Sequence, residues 1–414
     1  MTDINKLFFE LIQVSLGTRI CLSHMPSEDE WGELYKMAKK QSLMGICFAG
    51  VQKTLSSYPS HSTSPGEDSI NSFDYAQDGR QPYTINLPEM DYLRWMGMAA
   101  KIQQRNEVVN RQCVELQAKL AADGLKSSIL KGQGVASLYG EHLRELRQSG
   151  DIDVYVPCGM QKALEYVNGM YGKCEYDYIN AHVPVYQDTE VELHWRAQAM
   201  TNLFLNRKLQ EWFKSPKVQS SILGGKAVLA DGSELVVPSV YFNAFYILLH
   251  CYHHMFESGL GLRQLMDYYF VLWELDKKAF GETASVKNKK NIVDLFEQFG
   301  MLRFAKGVMW IMAHVFANTS TGSAQATNVN ANPNFFLGIE PDEKEGRFLM
   351  NEVMQNGNFG HHDERVKKVG NGKMSELWRN VQHNWHLASH YPSELLWQPV
   401  WLAYHFIWKR MIKK

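Results

Sequence analysis

Two aspartates in the stretch RQSGDIDVYV, Asp151 and Asp153, sit one residue apart just ahead of an apolar run. Successive side chains of a strand point to opposite faces, so the two carboxylates share one face while Ile152 and Val154 turn to the other. Like charges on one face repel unless a cation lies between them. Mg²⁺ suits that place: it is hard, prefers oxygen, and keeps water and substrate phosphates in its shell. A bare Asp-x-Asp is short, and by itself it reads as an exposed strand start with two solvated acids. Its neighbours decide what weight it carries.

Upstream, ILKGQG puts Lys131 and Gly132 at the end of a strand, with a helix opening at Gln133. Backbone N–H groups at a helix start bind phosphate, and glycine lets the phosphate approach. Lys131 would add a positive charge, although taken alone the segment is an ordinary strand–helix turn with a surface lysine. Arg147, four residues before Asp151, has the chemistry either to contact a triphosphate or to pair with an aspartate. Downstream, VELHWR offers Glu192 and His194 on one strand face, with Leu193 opposite. A third carboxylate would complete a two-metal cluster that stabilises the attacking and leaving oxygens of phosphoryl transfer, or act as the base for an acceptor hydroxyl. The plain reading of Glu192 is an edge-strand acid. For His194, a satisfied and partly buried histidine is preferred over a catalytic one.

Further along, LLHCYHHMF sets His250, His253 and His254 close together on a helix. His250 and His254 have the i, i+4 spacing that can bind zinc, but no Glu follows the first histidine as in H-E-x-x-H. Core or surface histidines are the preferred reading, with lining of an acceptor pocket as the alternative. Arg263 and Asp267 are also i, i+4 and could simply pair.

The elements that must hold these residues follow from periodicity. Ser27-x-x-Glu30 is a capping-box signature ahead of Trp31, Leu34 and Ala38 at helical spacing. Residues 56–86, rich in Ser, Pro, Gly and Asp, read as an exposed or disordered insertion. The segment from PEMDYLRW to AADG is a long helix with Ile102, Val109, Cys113, Leu116 and Leu120 on one stripe and Gly124 beyond its end. Short strands then alternate with helices: SSILKG, DIDVYV and TEVELHW as strands, GQGVASLYG and GMQKALEYVNGM as helices. KAVLADGSELVV reads as a hairpin with Asp231-Gly232 as a two-residue turn. The rest is mostly helical, broken by a polar loop at 318–334. The expected organisation is α+β: an N-terminal helical region at 1–123, an α/β core at 124–238 and a C-terminal helical region at 239–414.

Composition narrows the function classes. With 43 basic and 44 acidic residues and a formal net charge of -1, the chain lacks the strongly basic balance of a polyanion-wrapping protein. Its six cysteines form no Cys-x-x-Cys pair, which argues against a zinc or redox motif and fits reduced thiols of a cytoplasmic protein. The N-terminus lacks the pattern of a signal peptide, and no run of about 20 apolar residues offers a membrane span. The tryptophan-rich, basic C-terminus reads as a helix packed on the body rather than one lying on a membrane. Glycine-rich dinucleotide and P-loop patterns are missing.

The order L-K-G, short helix, R-x-x-G-D-I-D, then E-L-H-W resembles the uncharacterised bacterial nucleotidyltransferase family of the DNA polymerase β-like nucleotidyltransferase superfamily. WGELYKMAKKQSLMGICFAGVQ is similar to that family's N-terminal helical segment, and VVPSVYFNAFYILLHCYHHMFESGLGLRQLMDYYFVL to its helix after the core. The resemblance covers roughly residues 28–50 and 90–275. It implies a small mixed sheet with flanking helices, Asp151 and Asp153 as metal ligands, and Glu192 as the third carboxylate. It implies nucleotide binding around Lys131, Gly132, Gln133 and Arg147. The helix bearing the histidines would face the cleft, which makes His254 and Arg263 further candidates beside His194. Two departures stand out: Gln133 occupies the place of the superfamily's usual serine, and the third acid is Glu rather than Asp.

The implied reaction is Mg²⁺-dependent transfer of a nucleoside monophosphate from a triphosphate such as ATP to an acceptor hydroxyl, with release of pyrophosphate. Two Mg²⁺ ions are expected, with Mn²⁺ as a substitute. The acceptor is expected to be a small molecule or a protein, with long nucleic acid and membrane disfavoured. The alternatives are a non-catalytic nucleotide-binding module on the same fold, suggested by Gln133, and a metal-dependent phosphotransferase or hydrolase.

Overall fold

The Ser27 signature closes as its sequence dictates. Ser27 Oγ accepts from the Glu30 N–H at 3.3 Å, and the Glu30 carboxylate accepts from the Ser27 N–H at 2.8 Å. Helix α2 (Glu28–Lys40) starts there and buries Trp31, Leu34 and Ala38. It packs with α1 (Asp3–Leu16) and α3 (Met44–Ser56). The computed structural model describes residues 3–57, 87–279, 283–317, 337–358 and 386–412. From residue 58 on, the expected insertion lies outside the described residues, as does the expected loop at 318–334.

Helix α4 (Glu89–Ala122) is the long helix expected, and its stripe of Ile102, Val109, Cys113, Leu116 and Leu120 is buried. Gly124 follows with φ +74, a left-handed turn that suits glycine. One buried polar residue on α4, Asn106, reaches sideways. Asn106 Nδ2 donates to the carbonyls of Glu145 at 2.6 Å and Arg147 at 2.8 Å. This helix therefore holds the loop that leads into the Asp-x-Asp strand.

A five-stranded mixed sheet follows. Its strands are β1 (Ser128–Ile129), β2 (Ile152–Tyr155), β3 (Glu175–Tyr176), β4 (Asn180–Tyr186) and β5 (Thr189–His194), in spatial order β1-β2-β5-β4-β3. The β2–β5 pair is parallel and the other pairs are antiparallel. Helix α5 (Gln133–Ala136) is a single turn after β1, and α6 (Met160–Tyr171) follows β2. Ile152, Val154, Val191 and Leu193 form one apolar cluster beneath the sheet with Val109 and Cys113 of α4. Each such side chain contributes about 2 kcal/mol on burial.

Two points differ from the expectation. Strands β3 and β4 were not foreseen in the stretch holding Pro184; β4 pairs with β5 through a bulge between Val183 and Tyr186. The hairpin β6 (Gly225–Val228) and β7 (Glu234–Val237) exists, but its loop is longer than two residues. Leu229 N–H donates to Ser233 O, and Asp231 accepts from the Ser233 N–H at 3.0 Å, so the aspartate folds the loop locally.

Helices α7 (Leu203–Lys214) and α8 (Pro216–Leu223) precede that hairpin. The remainder is helical: α9 (Val240–Glu257), α10 (Leu262–Ala279), α11 (Thr283–Gln298), α12 (Leu302–Ile311), α13 (Glu343–Asn356) and α14 (Pro392–Ile412). Leu7 and Phe8 of α1 share one apolar core with Phe245 of α9, Leu265 of α10 and Val353 of α13. The C-terminal helix α14 packs on the body. Tyr178, just before β4, meets the rings of Trp401 at 5.2 Å and Trp408 at 5.3 Å. His405 Nε2 pairs with Asp177 Oδ1 at 2.5 Å. No described helix is long and apolar enough to cross a membrane.

A buried clamp ties α10 to the loop ahead of β2. Arg147 Nε and Nη2 donate to the two oxygens of Asp267, each at 2.7 Å, and Tyr139 Oη donates to Asp267 Oδ1 at 2.7 Å. Asp267 is therefore held by Arg147 from the loop, while its charge also acts on its helical neighbour Arg263. Breaking a buried pair from one side leaves an uncompensated charge, at a cost of about 3–5 kcal/mol. Asp267→Ala should lower the urea-unfolding free energy by that amount, and Tyr139→Phe by only about 1 kcal/mol. Equal, small losses in both variants would show that the clamp adds nothing.

Candidate active site

The parallel register of β2 and β5 sets Asp153 beside Glu192 and Tyr155 beside His194. The acids the sequence separates by 39 positions thus become neighbours. His194 Nε2 lies 3.0 Å from Asp153 Oδ1 and 3.1 Å from Glu192 Oε2. Ligand atoms of Asp153, Glu192 and His194 all lie within 4.8 Å of one another. Lys131 Nζ, arriving from the end of β1, reaches Asp153 Oδ1 at 2.7 Å. Asp151, Asp153 and Glu192 line one cleft of about 890 Å³ with Lys131, Gly132, Arg147, His194, His254 and Arg263.

The electrostatics follow from this crowding. The Asp153 charge, and then burial, raise the Asp151 carboxyl above its ordinary range. Burial would also raise Glu192, but the hydrogen bond and charge of His194 outweigh it and hold the carboxyl at about 2. Burial would lower His194, yet its bonds to Asp153 and Glu192 lift it to about 9. Burial opposes the Lys131 charge too, and Asp153 overcomes it, holding the ammonium above its usual value. A protonated imidazole and an ammonium thus balance carboxylates that one cation could bridge.

The turn after β1 has the shape foreseen and a different lining. Gly132 adopts φ +57 and ψ -115, a conformation L side chains rarely take. Lys131 and Gly132 face the cleft. The Gln133 side chain is buried and points to α4, where Nε2 donates to Asn110 Oδ1 at 2.5 Å. It thus anchors the turn from behind. Arg147 reaches the cleft wall, but its fork is held by Asp267. Arg263 Nη1 donates to the Gln148 carbonyl at 2.8 Å and also lines the cleft; burial and the nearby Arg147 charge lower it to about 10.

Residues not foreseen complete the site. Asn180 Nδ2 donates to Glu192 Oε2 at 2.7 Å, and His182 Nδ1 lies 3.5 Å from Glu192 Oε1. Both come from β4, whose signal was the alternation of buried Ala181 and Val183 with exposed His182. Tyr246, on α9, is fully buried with its hydroxyl unpartnered, and it feels the charges of Lys131, Asp153, Glu192 and Asp151. His250, His253 and His254 continue this wall of the cleft.

A family model described as an uncharacterised nucleotidyltransferase matches residues 27–317. No curated protein and no solved structure matches the chain.

The metal-free protein should show the balance directly. Because His194 is raised above its ordinary 6.5, its stabilising proton is fully held below pH 6.5 and lost as pH rises through about 9. In EDTA, the urea midpoint should therefore fall between those values, and His194→Gln should remove the fall. A midpoint flat across that window would show that no proton sits between the two carboxylates.

Proposed function

The chain belongs to the uncharacterised nucleotidyltransferase family, and from that premise we propose that it moves a nucleoside monophosphate from a triphosphate such as ATP to an acceptor hydroxyl, releasing pyrophosphate. The observation that carries this reading is the β2–β5 register, which brings Asp153, Glu192 and His194 together beside Asp151 and Lys131. Carboxylates this close repel one another unless a positive charge lies between them.

The donor set fits a small divalent ion. Asp151, Asp153 and Glu192 offer the hard oxygens that Mg²⁺ prefers, and the imidazole of His194 also admits Mn²⁺. These residues would hold two ions of the kind used by the DNA polymerase β-like superfamily, and the bound metal would supply Lewis-acid stabilisation of the phosphoryl oxygens. The protein's own groups do the rest. Lys131 and the Gly132 turn face the cleft where phosphate oxygens can be met, and Arg263 adds a second positive charge there. Asn180 fixes the Glu192 carboxylate by its bond to Oε2, and Gln133 and Asn106 brace the two loops against α4. The acceptor favoured is a small molecule or a protein side chain, and the balanced charge of the chain disfavours long nucleic acid.

Asp153→Asn keeps the shape and removes the charge. It should weaken Mg²⁺–ATP binding in calorimetry and lower pyrophosphate release from labelled triphosphate at least about 100-fold, with an unchanged circular-dichroism spectrum. Unchanged binding and release would refute the assignment. Inorganic phosphate as the product would point instead to a hydrolase, and tight binding without turnover to a nucleotide-binding module.

A further inference from the structure

One face of α9 carries Tyr246, His250, His254 and Ser258 at four-residue steps. At 1.5 Å per residue the row runs about 18 Å. It starts at the buried Tyr246 hydroxyl among the carboxylates and ends at Ser258, the half-buried residue that caps the helix. The hydrogen bonds along it have one direction. Gln198 Oε1 accepts from the Ala199 N–H at 2.9 Å, which fixes the amide so that its Nε2 faces His250 Nδ1 at 3.4 Å. An amide nitrogen only donates, so His250 Nδ1 is the bare nitrogen and its proton sits on Nε2. That proton points to His254 Nε2 at 3.0 Å. His254 then carries its own proton on Nδ1, facing Ser258 Oγ at 2.7 Å. Both rings are neutral in this arrangement, because a proton added to the His254 Nε2 would meet the N–H of His250.

We propose that this row is the acceptor subsite and proton exit of the cleft: His250 Nδ1 takes an acceptor hydroxyl, and the proton leaves along His254 to Ser258. The proposal rests on the transferase reading above and adds to it the group that receives the acceptor's proton. The long 3.4 Å contact to Gln198 leaves His250 Nδ1 weakly held, so a hydroxyl donor can displace it. The step balances. The acceptor O–H bond breaks as its oxygen bonds to the α-phosphorus, and the bridging P–O electron pair leaves with pyrophosphate. The acceptor proton goes to His250 Nδ1, the Nε2 proton of His250 to His254 Nε2, the Nδ1 proton of His254 to Ser258 Oγ, and the serine proton to water. Each histidine ends neutral as its other tautomer.

The surroundings keep the row uncharged. His250 faces Lys131 from the turn after β1, His194 from β5, and His253 and His254 from its own helix; Arg263 of α10 faces His254. Burial and then the Lys131 charge hold both rings far below the ordinary histidine range. His253, the one histidine out of step with the row, pairs instead with Glu257 at 2.5 Å.

Imidazole nitrogen NMR tests the row without any acceptor, with His250→Gln and His254→Gln supplying the assignments. At pH 7 His250 should be protonated at Nε2 and His254 at Nδ1; a doubly protonated ring, or one tautomer shared by both, overturns the chain. Pyrophosphate release is then followed with ATP, Mg²⁺ and glycerol as a surrogate hydroxyl. His250→Gln should bind Mg²⁺–ATP as the wild type does and lose roughly 100-fold in kcat, the scale of general base catalysis. Ser258→Ala should lose several-fold and make kcat more steeply dependent on pH. Wild-type kcat in His250→Gln overturns the subsite and leaves the transferase reading standing. A wild-type protein that neither binds Mg²⁺–ATP nor releases pyrophosphate overturns both.

Discussion

Like charge confined between two parallel strands is the constraint from which the site is built. Asp153 is 3% exposed, and the register sets Glu192 against it with Asp151 close by. Left alone, such a group would protonate or push the strands apart. The chain answers with cations placed by local geometry. Lys131 comes from the end of the antiparallel neighbour β1, and His194 lies two residues along the strand of Glu192. The same positions that settle the charge in the absence of metal are those from which a divalent ion would relieve it. A bound ion would therefore take over a balance that the chain already strikes with its own cations.

A strand pair can impose such a register only if its entry is rigid. Several buried polar contacts act on the loop between Arg144 and Asp151. Asn106 binds two of its carbonyls, Asp267 grips Arg147 with both oxygens, and Arg263 binds the Gln148 carbonyl. Even Gly45 of α3 abuts this loop: a methyl group there would sit 2.3 Å from the Leu146 carbonyl oxygen. Helices α3, α4 and α10 thus converge on a short segment with no regular structure of its own apart from one 3₁₀ turn. This is why so helical a chain serves so small a sheet.

What could be read from the sequence was what local chemistry controls. The capping box at Ser27, the stripe of α4 and the alternation in DIDVYV each depend on neighbours a few residues away, and each formed. The acids and Lys131 were visible as types. Their partners were not, because partner choice is tertiary. Arg147 offered a phosphate contact and an aspartate pair equally well, and the aspartate it found lies 120 residues on. Gln133 stood out as a departure that removes a serine hydroxyl from the phosphate turn, and where its longer side chain goes instead, past the turn to Asn110, was not legible. Strand β4 was hidden by Pro184, which removes a ladder donor and is tolerated here beside a bulge.

The cleft joins two walls of different chemistry. The sheet wall is charged, with carboxylates held by Lys131, His194 and Asn180. The α9 wall is a row of neutral rings ordered by hydrogen bonds. Burial, and after it the charge of Lys131 on the opposite wall, holds His250 and His254 far below the ordinary histidine range. The roof over both is α14, drawn onto the core by the Asp177–His405 pair and by the rings around Tyr178. Asp177 lies at the end of β3 and Asn180 at the start of β4, so one short turn bears both the roof's anchor and the residue that orients Glu192. Closing the cleft and positioning its third carboxylate are thereby tied to the same few backbone atoms.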